Sequence, residues 1–461
     1  MVYLKKMVRC AKRNLGLAFF TKNPPYQSAT AFEKVEQIKN ADVAAKISAI
    51  SIALLPALLG FGFIQFGIVY TGSLRPVVFE AFWLLFAVSL IGASVASGTS
   101  VIEEVKLLPR TYLAVFLLFL CIWGYTSTFV APHPVMANYY SGIGVVALLL
   151  GLAMAALRRR IGDRFLTNIA WAFFVAMLLH APFLIWLYIL EGNNPEYNWT
   201  YRLPGFPGLR MYNYSLEAGI AAGVGLFYVS KPCERFKRTL LFIGIALLWV
   251  LLFWAGGRGA FLTLNVTVIL AAFLVPEFVQ KMWGVLITTI ILGANLSLQL
   301  FVPNKNFGIL SRIDRTFNST SLNEITSSRL TIWSDAYEIF LARPFFGHGA
   351  SQYKFLTTHA DLNVHEHTHN ILLELLISFG VVGTIALLYP LGRVWLFALL
   401  RSRNTVSASE LPMFLVATTL LVHGLLSGTF YHIHSVFMIA LSMGLLLQNA
   451  NTKIAAMDTS A

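Results

Sequence analysis

Three imidazoles fall within five residues at His365-Glu366-His367-Thr368-His369, followed by Asn370 and the apolar run Ile371 to Gly383. Histidine is the side chain whose proton comes and goes near neutral pH, so a cluster at the mouth of a hydrophobic segment suits proton transfer. His369 is expected in the first turn of that helix, where the dipole disfavours a positive charge and keeps the ring a neutral base. Three arginines on the same expected side complete the set. Arg210 follows Gly208-Leu209 at the head of an apolar run that holds Glu217 about two turns deeper, Arg258 stands among glycines in Gly256-Gly257-Arg258-Gly259, and Arg329 opens a helical stretch with Trp333. Guanidinium groups grip phosphate oxygens in pairs, so arginines beside a histidine fit a task in which they hold a diphosphate while the imidazole deprotonates an attacking hydroxyl. Glu217, a carboxylate inside an apolar segment, needs a partner: it either holds Arg210 or faces a hydrated cavity.

Two other chemistries deserve comparison. His365-Glu366-x-x-His369 matches the spacing of zinc peptidases, but that motif needs a helix through all five residues, and the apolar periodicity starts only after them. A transporter for an anionic cargo would string its cations along a path through the spans, whereas these gather near one face. The chain also has no Asp-x-Asp pair to support a nucleotide-sugar and divalent-metal mechanism. Neither a metal nor another cofactor is therefore expected.

The elements that position these residues are expected to be membrane spans. Of 461 residues, 57% are hydrophobic and only 12% charged, with a mean hydropathy of +0.69, which excludes a water-soluble globule. At roughly 20 residues per span, about twelve helices are expected, at 47–70, 76–97, 111–130, 141–157, 165–190, 211–230, 239–256, 259–275, 282–302, 370–390, 411–428 and 431–448. The net charge of +13 does not mark a nucleic-acid binder, because the basic residues fall in alternate loops, at Lys106/Arg110, Arg158–Arg164, Lys231–Arg238 and Arg393–Arg403. The positive-inside rule then puts both termini in the cytoplasm and the histidines outside. Cys10 and Cys233 fall on the cytoplasmic side and Cys121 within a span, so no disulfide is expected to staple an outer loop. The organisation expected is a surface arm over 1–45 with no cleavable signal, spans one to nine over 46–302, an outer loop over 303–369, spans ten to twelve over 370–450, and a cytoplasmic tail over 451–461. Within the outer loop, Leu330, Trp333, Tyr337 and Phe340 recur at helical spacing before Arg343-Pro344 ends the run. One or two helices lying on the membrane surface are expected there.

Taken together, the run His369-Asn370-x-x-Leu373-Glu374 with Gly380 and Gly383, the upstream Arg329…Trp333…Pro344-x-x-Gly347-x-Gly349 and the Gly257-Arg258-Gly259 hairpin resemble the O-antigen ligase and polymerase superfamily. The resemblance covers roughly residues 205–390, with the topology of the whole chain. It implies an all-α, GT-C-like membrane protein of the bacterial inner membrane with a periplasmic active site. The implied activity is metal-independent, inverting transfer of a glycan from undecaprenyl diphosphate, in the ligase branch to a sugar hydroxyl of lipid A–core. By matched position His369 takes the essential histidine, and Arg210 and Arg258 the diphosphate-binding arginines. Gly257 stands where the family often has a small hydroxyl, and His365 and His367 are additional, so His367 stays beside His369 as a candidate base. The reading is an O-antigen ligase, with the polymerase branch as its nearest alternative.

Overall fold

The computed structural model describes residues 39–55, 74–192, 194, 196–275, 277–304, 306–319, 321–358, 365–402 and 409–447. Most of the expected arm, the second half of the first span and the C-terminal tail lie outside them. Every described element is a helix or a turn, as hydrocarbon demands of a chain that must satisfy its own backbone hydrogen bonds. The helices are α1 (39–55), α2 (Leu74–Ala96), α3 (Val101–Leu107), α4 (Arg110–Tyr125, extended by a π-helical turn over Thr126–Val130), α5 (Pro134–Ile161), α6 (Asp163–Glu191), α7 (Leu209–Val229), α8 (Arg235–Trp254), α9 (Arg258–Leu274) and α10 (Phe278–Ser297). Then come α11 (Ile309–Phe317), α12 (Leu322–Ile325), α13 (Arg329–Ala342), α14 (Tyr353–Leu356), α15 (Ile371–Ser402), α16 (Leu411–Gly424) and α17 (Ile433–Leu446).

Each expected span from the second to the twelfth coincides with one of these helices. Seven of the described helices, α2, α4, α5, α6, α8, α10 and α15, are long and apolar enough to cross a membrane. Helices α9, α16 and α17 are apolar but shorter. The fourth expected span is longer than its apolar core suggested, because α5 begins at Pro134, with His133 Nδ1 accepting the Met136 N–H, and runs into Arg158, Arg159 and Arg160. Polar residues inside a hydrogen-bonded helix do not end it. The tenth span is likewise longer, continuing to Ser402 through a break at Gly380.

Helix α7 is the centre of the bundle. Leu216, Ala218, Ile220, Ala222 and Leu226 have no exposed surface, and Gly219, Gly223 and Gly225 let α6, α8 and α16 approach its backbone; a methyl on Gly225 would stand 2.4 Å from the Pro412 Cα. Small residues at such seams are how apolar helices associate where lipid offers no hydrophobic penalty. Outward faces keep large apolar side chains such as Leu85, Trp186, Ile189 and Phe273 exposed, the surface that acyl chains cover.

One end of the bundle is tied by buried charge. Arg158 donates to Glu410 at 2.6 Å and to the Leu445 carbonyl, while Arg401 donates to Glu410 at 2.8 Å and to the Leu446 carbonyl at 2.7 Å. Two cations thus satisfy the open C-terminal carbonyls of α17, where its dipole is negative.

The opposite end carries the 303–369 segment. Its helix α13 packs on α15 through Ile332 and Ala336, buried with Tyr353 and Ile377, and of the expected periodic set Trp333 and Phe340 pack against them, whereas Leu330 and Tyr337 are 41% and 52% exposed. In a helix lying at an apolar boundary, both faces find apolar surroundings, so spacing alone does not choose the packed one. The chain after α13 runs along the break in α15, with Val381 N–H donating to the Pro344 carbonyl, Val382 N–H to Phe345, His348 N–H to Ile377 and Gly349 N–H to Ser378. Gly380 (φ +63°) and Gly347 (φ +73°) sit where these strands touch, and a methyl on Gly380 would lie 2.2 Å from the Phe345 carbonyl carbon. Gly347 and Gly380, one from each motif, permit this interlock.

Candidate active site

The turn 365–370 stands at the site end of α15 and is not helical. His369 does not enter the first turn of α15, as the dipole argument supposed. It precedes the helix in a left-handed conformation, φ 56°, and Asn370 is the cap: its Oδ1 accepts the Leu372 and Leu373 N–H groups at 2.9 and 3.2 Å. The preference of Asn for caps outweighs the hydrophobic pattern in setting the boundary. Three further contacts fix the turn. Glu374 Oε2 accepts the Thr368 N–H at 3.0 Å, Trp333 Nε1–H donates to the Thr368 carbonyl at 3.1 Å, and His367 Nδ1 accepts the His369 N–H at 3.1 Å. Asn370, Glu374 and Trp333 therefore hold the histidine turn from behind.

The last of these bonds separates the two candidate bases. With Nδ1 accepting, the neutral His367 ring carries its proton on Nε2, and that edge is pressed against Gly428, where a methyl would lie 2.7 Å from Nε2. His367 is buried and stacked on Tyr431 at 4.7 Å. The His369 ring meets that of His367 edge-on at 4.1 Å, and its nitrogens have a long contact with Arg210, whose Nη1 is 3.4 Å from both Nδ1 and Nε2. A donor equidistant from both nitrogens is aligned with neither lone pair. Burial, then Arg210 and Arg329, push the His369 pKa down to about 2, and burial with the neighbouring His369 and His432 holds His367 well below the imidazole range. His365, whose ring meets that of His369 at 5.6 Å, is lowered by burial and Arg210.

Arg210, Arg258 and Arg329 come from three helices, and the first two stand close enough to Arg329 for their charges to act on it. Burial and the charges of Arg210 and Arg258 depress Arg329 below the usual arginine value. Each stands in the first turn of its helix, α7, α9 and α13, and none of the three caps, Gly208, Gly257 and Ser328, makes a side-chain capping bond. Cations at positive helix ends, next to one another, are unfavourable unless an anion joins them. Among the described residues no salt bridge pairs Arg210 or Arg329 with a carboxylate. The glycines around Arg258 give close approach: a methyl on Gly257 would meet the Asn213 side chain at 2.9 Å, and one on Gly259 would meet His423 Nε2 at 2.8 Å. The amide of Asn213 therefore fills the space beside residue 257.

Glu217 neither holds Arg210 nor faces a cavity. Fully buried, it accepts from Thr263 at 2.9 Å and pairs with His423 Nδ1 at 2.7 Å, joining α7, α9 and α16 directly behind the arginines. Sequence reasoning missed His423, along with Tyr214, Ser427 and His432. Tyr214 bonds Ser427 and has its ring edge-on to His423 at 4.8 Å, and His432 stands perpendicular to His367 at 5.3 Å. The signal was present: a histidine inside an apolar span is costly enough to need a reason.

The zinc-peptidase alternative requires His365 and His369 one helical turn apart, and the turn between them is irregular. Among the described residues no group of three His, Cys, Asp or Glu side chains is arranged to hold a metal ion.

A protein of Haemophilus influenzae described as uncharacterized is 28% identical over 178 residues, covering 35% of this chain; the match spans 43% of that relative, less than half its length. Residues 243–388 match the family model Wzy_C, O-antigen ligase. That region, less than half of the chain, includes the Gly257-Arg258-Gly259 turn, Arg329, Trp333 and the His369-Asn370 pair, and through it this multi-pass membrane protein is similar to the O-antigen ligase superfamily.

Proposed function

We propose that the protein is a lipopolysaccharide O-antigen ligase, a glycosyltransferase that moves a glycan from undecaprenyl diphosphate to a sugar hydroxyl of lipid A–core. The observation that carries this reading is that Arg210 and Arg329 act on His369 while Arg258 stands near Arg329, each arginine in the first turn of its helix. Three cations at the positive ends of three helices suit the two phosphates of a donor. His369 removes the proton of the acceptor hydroxyl, whose oxygen attacks the anomeric carbon from the face opposite the diphosphate. The bond from carbon to the diphosphate oxygen breaks, its electron pair leaves with undecaprenyl diphosphate, and the configuration inverts. The arginines neutralise the leaving charge, so no metal is required.

The donor also prepares the base. Arg210 and Arg329 help to hold the free His369 at about 2, and a bound diphosphate offsets both charges, raising the basicity of the ring when substrate is present. Glu217, with Thr263 and His423, ties α7 to α9 and α16, while Asn370, Glu374 and Trp333 fix the turn.

In this reading the chain crosses the inner membrane about twelve times in a GT-C-like arrangement. Both termini are cytoplasmic, the 303–369 segment forms a periplasmic wall of the site, and the Arg158–Glu410–Arg401 end faces the cytoplasm. Membrane lipids surround it; nucleic acid is not a partner.

The test mixes purified protein with undecaprenyl-diphosphate-linked glycan and lipid A–core, with and without EDTA, and resolves products by size. Glycan-capped lipid A–core in both conditions is expected. Longer undecaprenyl-linked chains without capping identify a polymerase, and activity lost in EDTA and restored by zinc or magnesium overturns the arginine mechanism.

A further inference from the structure

Next to His367 lies a group of side chains that transfer leaves unused. Tyr431, stacked on His367 at 4.7 Å, has its ring 4.9 Å from that of Tyr140. Its hydroxyl is 3.5 Å from Glu366 Oε2. Tyr139, edge-on to Tyr140 at 5.4 Å, donates to Glu80 Oε2 at 3.0 Å. These residues come from the starts of α2 and α5, the histidine turn and the α16–α17 loop, so four separate segments bring them to one end of the bundle. Glu80 and Glu366 are near enough to repel each other. Glu366 and Tyr139 are exposed, and Glu80 and Tyr140 partly so, which leaves the face accessible. Beside it, the buried Nε2 of His432, whose ring stands perpendicular to Tyr431 at 5.4 Å, has no hydrogen-bond partner.

We infer that this face, Glu366, Tyr431, Tyr140, Tyr139 and Glu80, is the acceptor subsite, binding a hydroxyl-rich sugar so that one hydroxyl reaches His369. The inference rests on the transfer reading and adds where the acceptor sits. Its chemistry is the opposite of the arginine cluster. Carboxylates repel a diphosphate but accept strong hydrogen bonds from hydroxyl groups, and phenol rings offer apolar faces to sugar C–H surfaces with polar rims at their edges. The donor's anion is thereby steered to one side of the histidines and the neutral, hydroxyl-bearing part of the acceptor to the other, which fixes the direction of attack. His367, with Tyr431 stacked on its ring and the His369 N–H bonded to its Nδ1, joins the two halves.

The experiment measures initial rates for Glu366→Gln, Glu80→Gln and the conservative Glu366→Asp, varying lipid A–core at fixed donor and then undecaprenyl-diphosphate-linked glycan at fixed acceptor. Loss of a charge-assisted hydrogen bond is expected to raise the acceptor KM about tenfold in each Gln variant, with the donor KM unchanged. Glu366→Asp is expected to recover part of the loss, which a merely structural role would not require. An acceptor KM unchanged in both Gln variants, or a donor KM that rises in step with it, overturns the subsite while leaving transfer intact. Wild-type protein that transfers nothing overturns the transfer reading, and the subsite falls with it.

Discussion

Changing Gly380 to Ala tests whether the break in α15 holds the active-site wall. The added methyl would lie 2.2 Å from the Phe345 carbonyl carbon, 2.3 Å from its oxygen and 2.4 Å from the Phe346 nitrogen. All three are backbone atoms, so no side-chain rotation relieves the clash. The backbone conformation itself, φ 63° with ψ -173°, is adopted essentially only by glycine and costs about 1–3 kcal/mol for a residue with a Cβ. To make room, the 344–349 segment must leave α15 and give up four backbone hydrogen bonds, Val381 to Pro344, Val382 to Phe345, His348 to Ile377 and Gly349 to Ser378. At about 0.5–1.5 kcal/mol each, these bring the total to roughly 3–9 kcal/mol, a large share of the ~5–15 kcal/mol that typically separates folded from unfolded states. Gly392, on the same helix, is the control: a methyl there meets nothing within 4 Å, and Gly→Ala in a helix interior gains up to ~1 kcal/mol. Thermal unfolding in detergent or nanodiscs should show the Gly380→Ala transition much lowered, or only misfolded protein, with Gly392→Ala at or above wild type. Equal transition temperatures for Gly380→Ala and wild type would refute the interlock.

His369→Ala should lower transfer by about 10²–10⁴ while donor binding survives, and His367→Ala should cost less, since His367 orients the turn; the reverse ranking in a single-turnover assay would make His367 the base. Arg258→Lys should be nearly as damaging as Arg258→Ala, because an ammonium cannot reproduce the planar fork; a Lys variant with most of its activity would reduce Arg258 to a general charge. The base works as neutral imidazole, so activity is lost as pH falls through its pKa. With the free His369 at about 2, kcat/KM for the donor should show no acid limb from this residue near neutral pH, whereas kcat, reporting the donor complex, should fall at a higher pH, still at or below the ~6.5 of free imidazole. A kcat/KM limb at or above that value would contradict the depressed base.

Residue order was enough to establish the membrane class, the positions of the helices and the list of polar groups worth suspecting, because span length and hydropathy are local properties of the chain. The sequence also marked His369, Asn370, Arg210, Arg258 and Arg329 as a set, since a charged or titrating group beside an apolar run has few structural reasons to be there. Partners lay beyond it. Glu217 looked as though it belonged with Arg210, two turns away on its own helix; it belongs with His423, 206 positions along the chain. The packed face of α13 is likewise set by Ile377 and Tyr353 from outside the helix. His369 lies outside α15 because Asn370 caps it, and the bond from its N–H to His367 distinguishes two imidazoles that the sequence left equivalent. Hydrophobic periodicity says which segments are helices, but hydrogen-bond partners and charge neighbours are fixed by which helices pack together, and that information exists only once α7, α9, α13 and α15 meet at one end of the bundle.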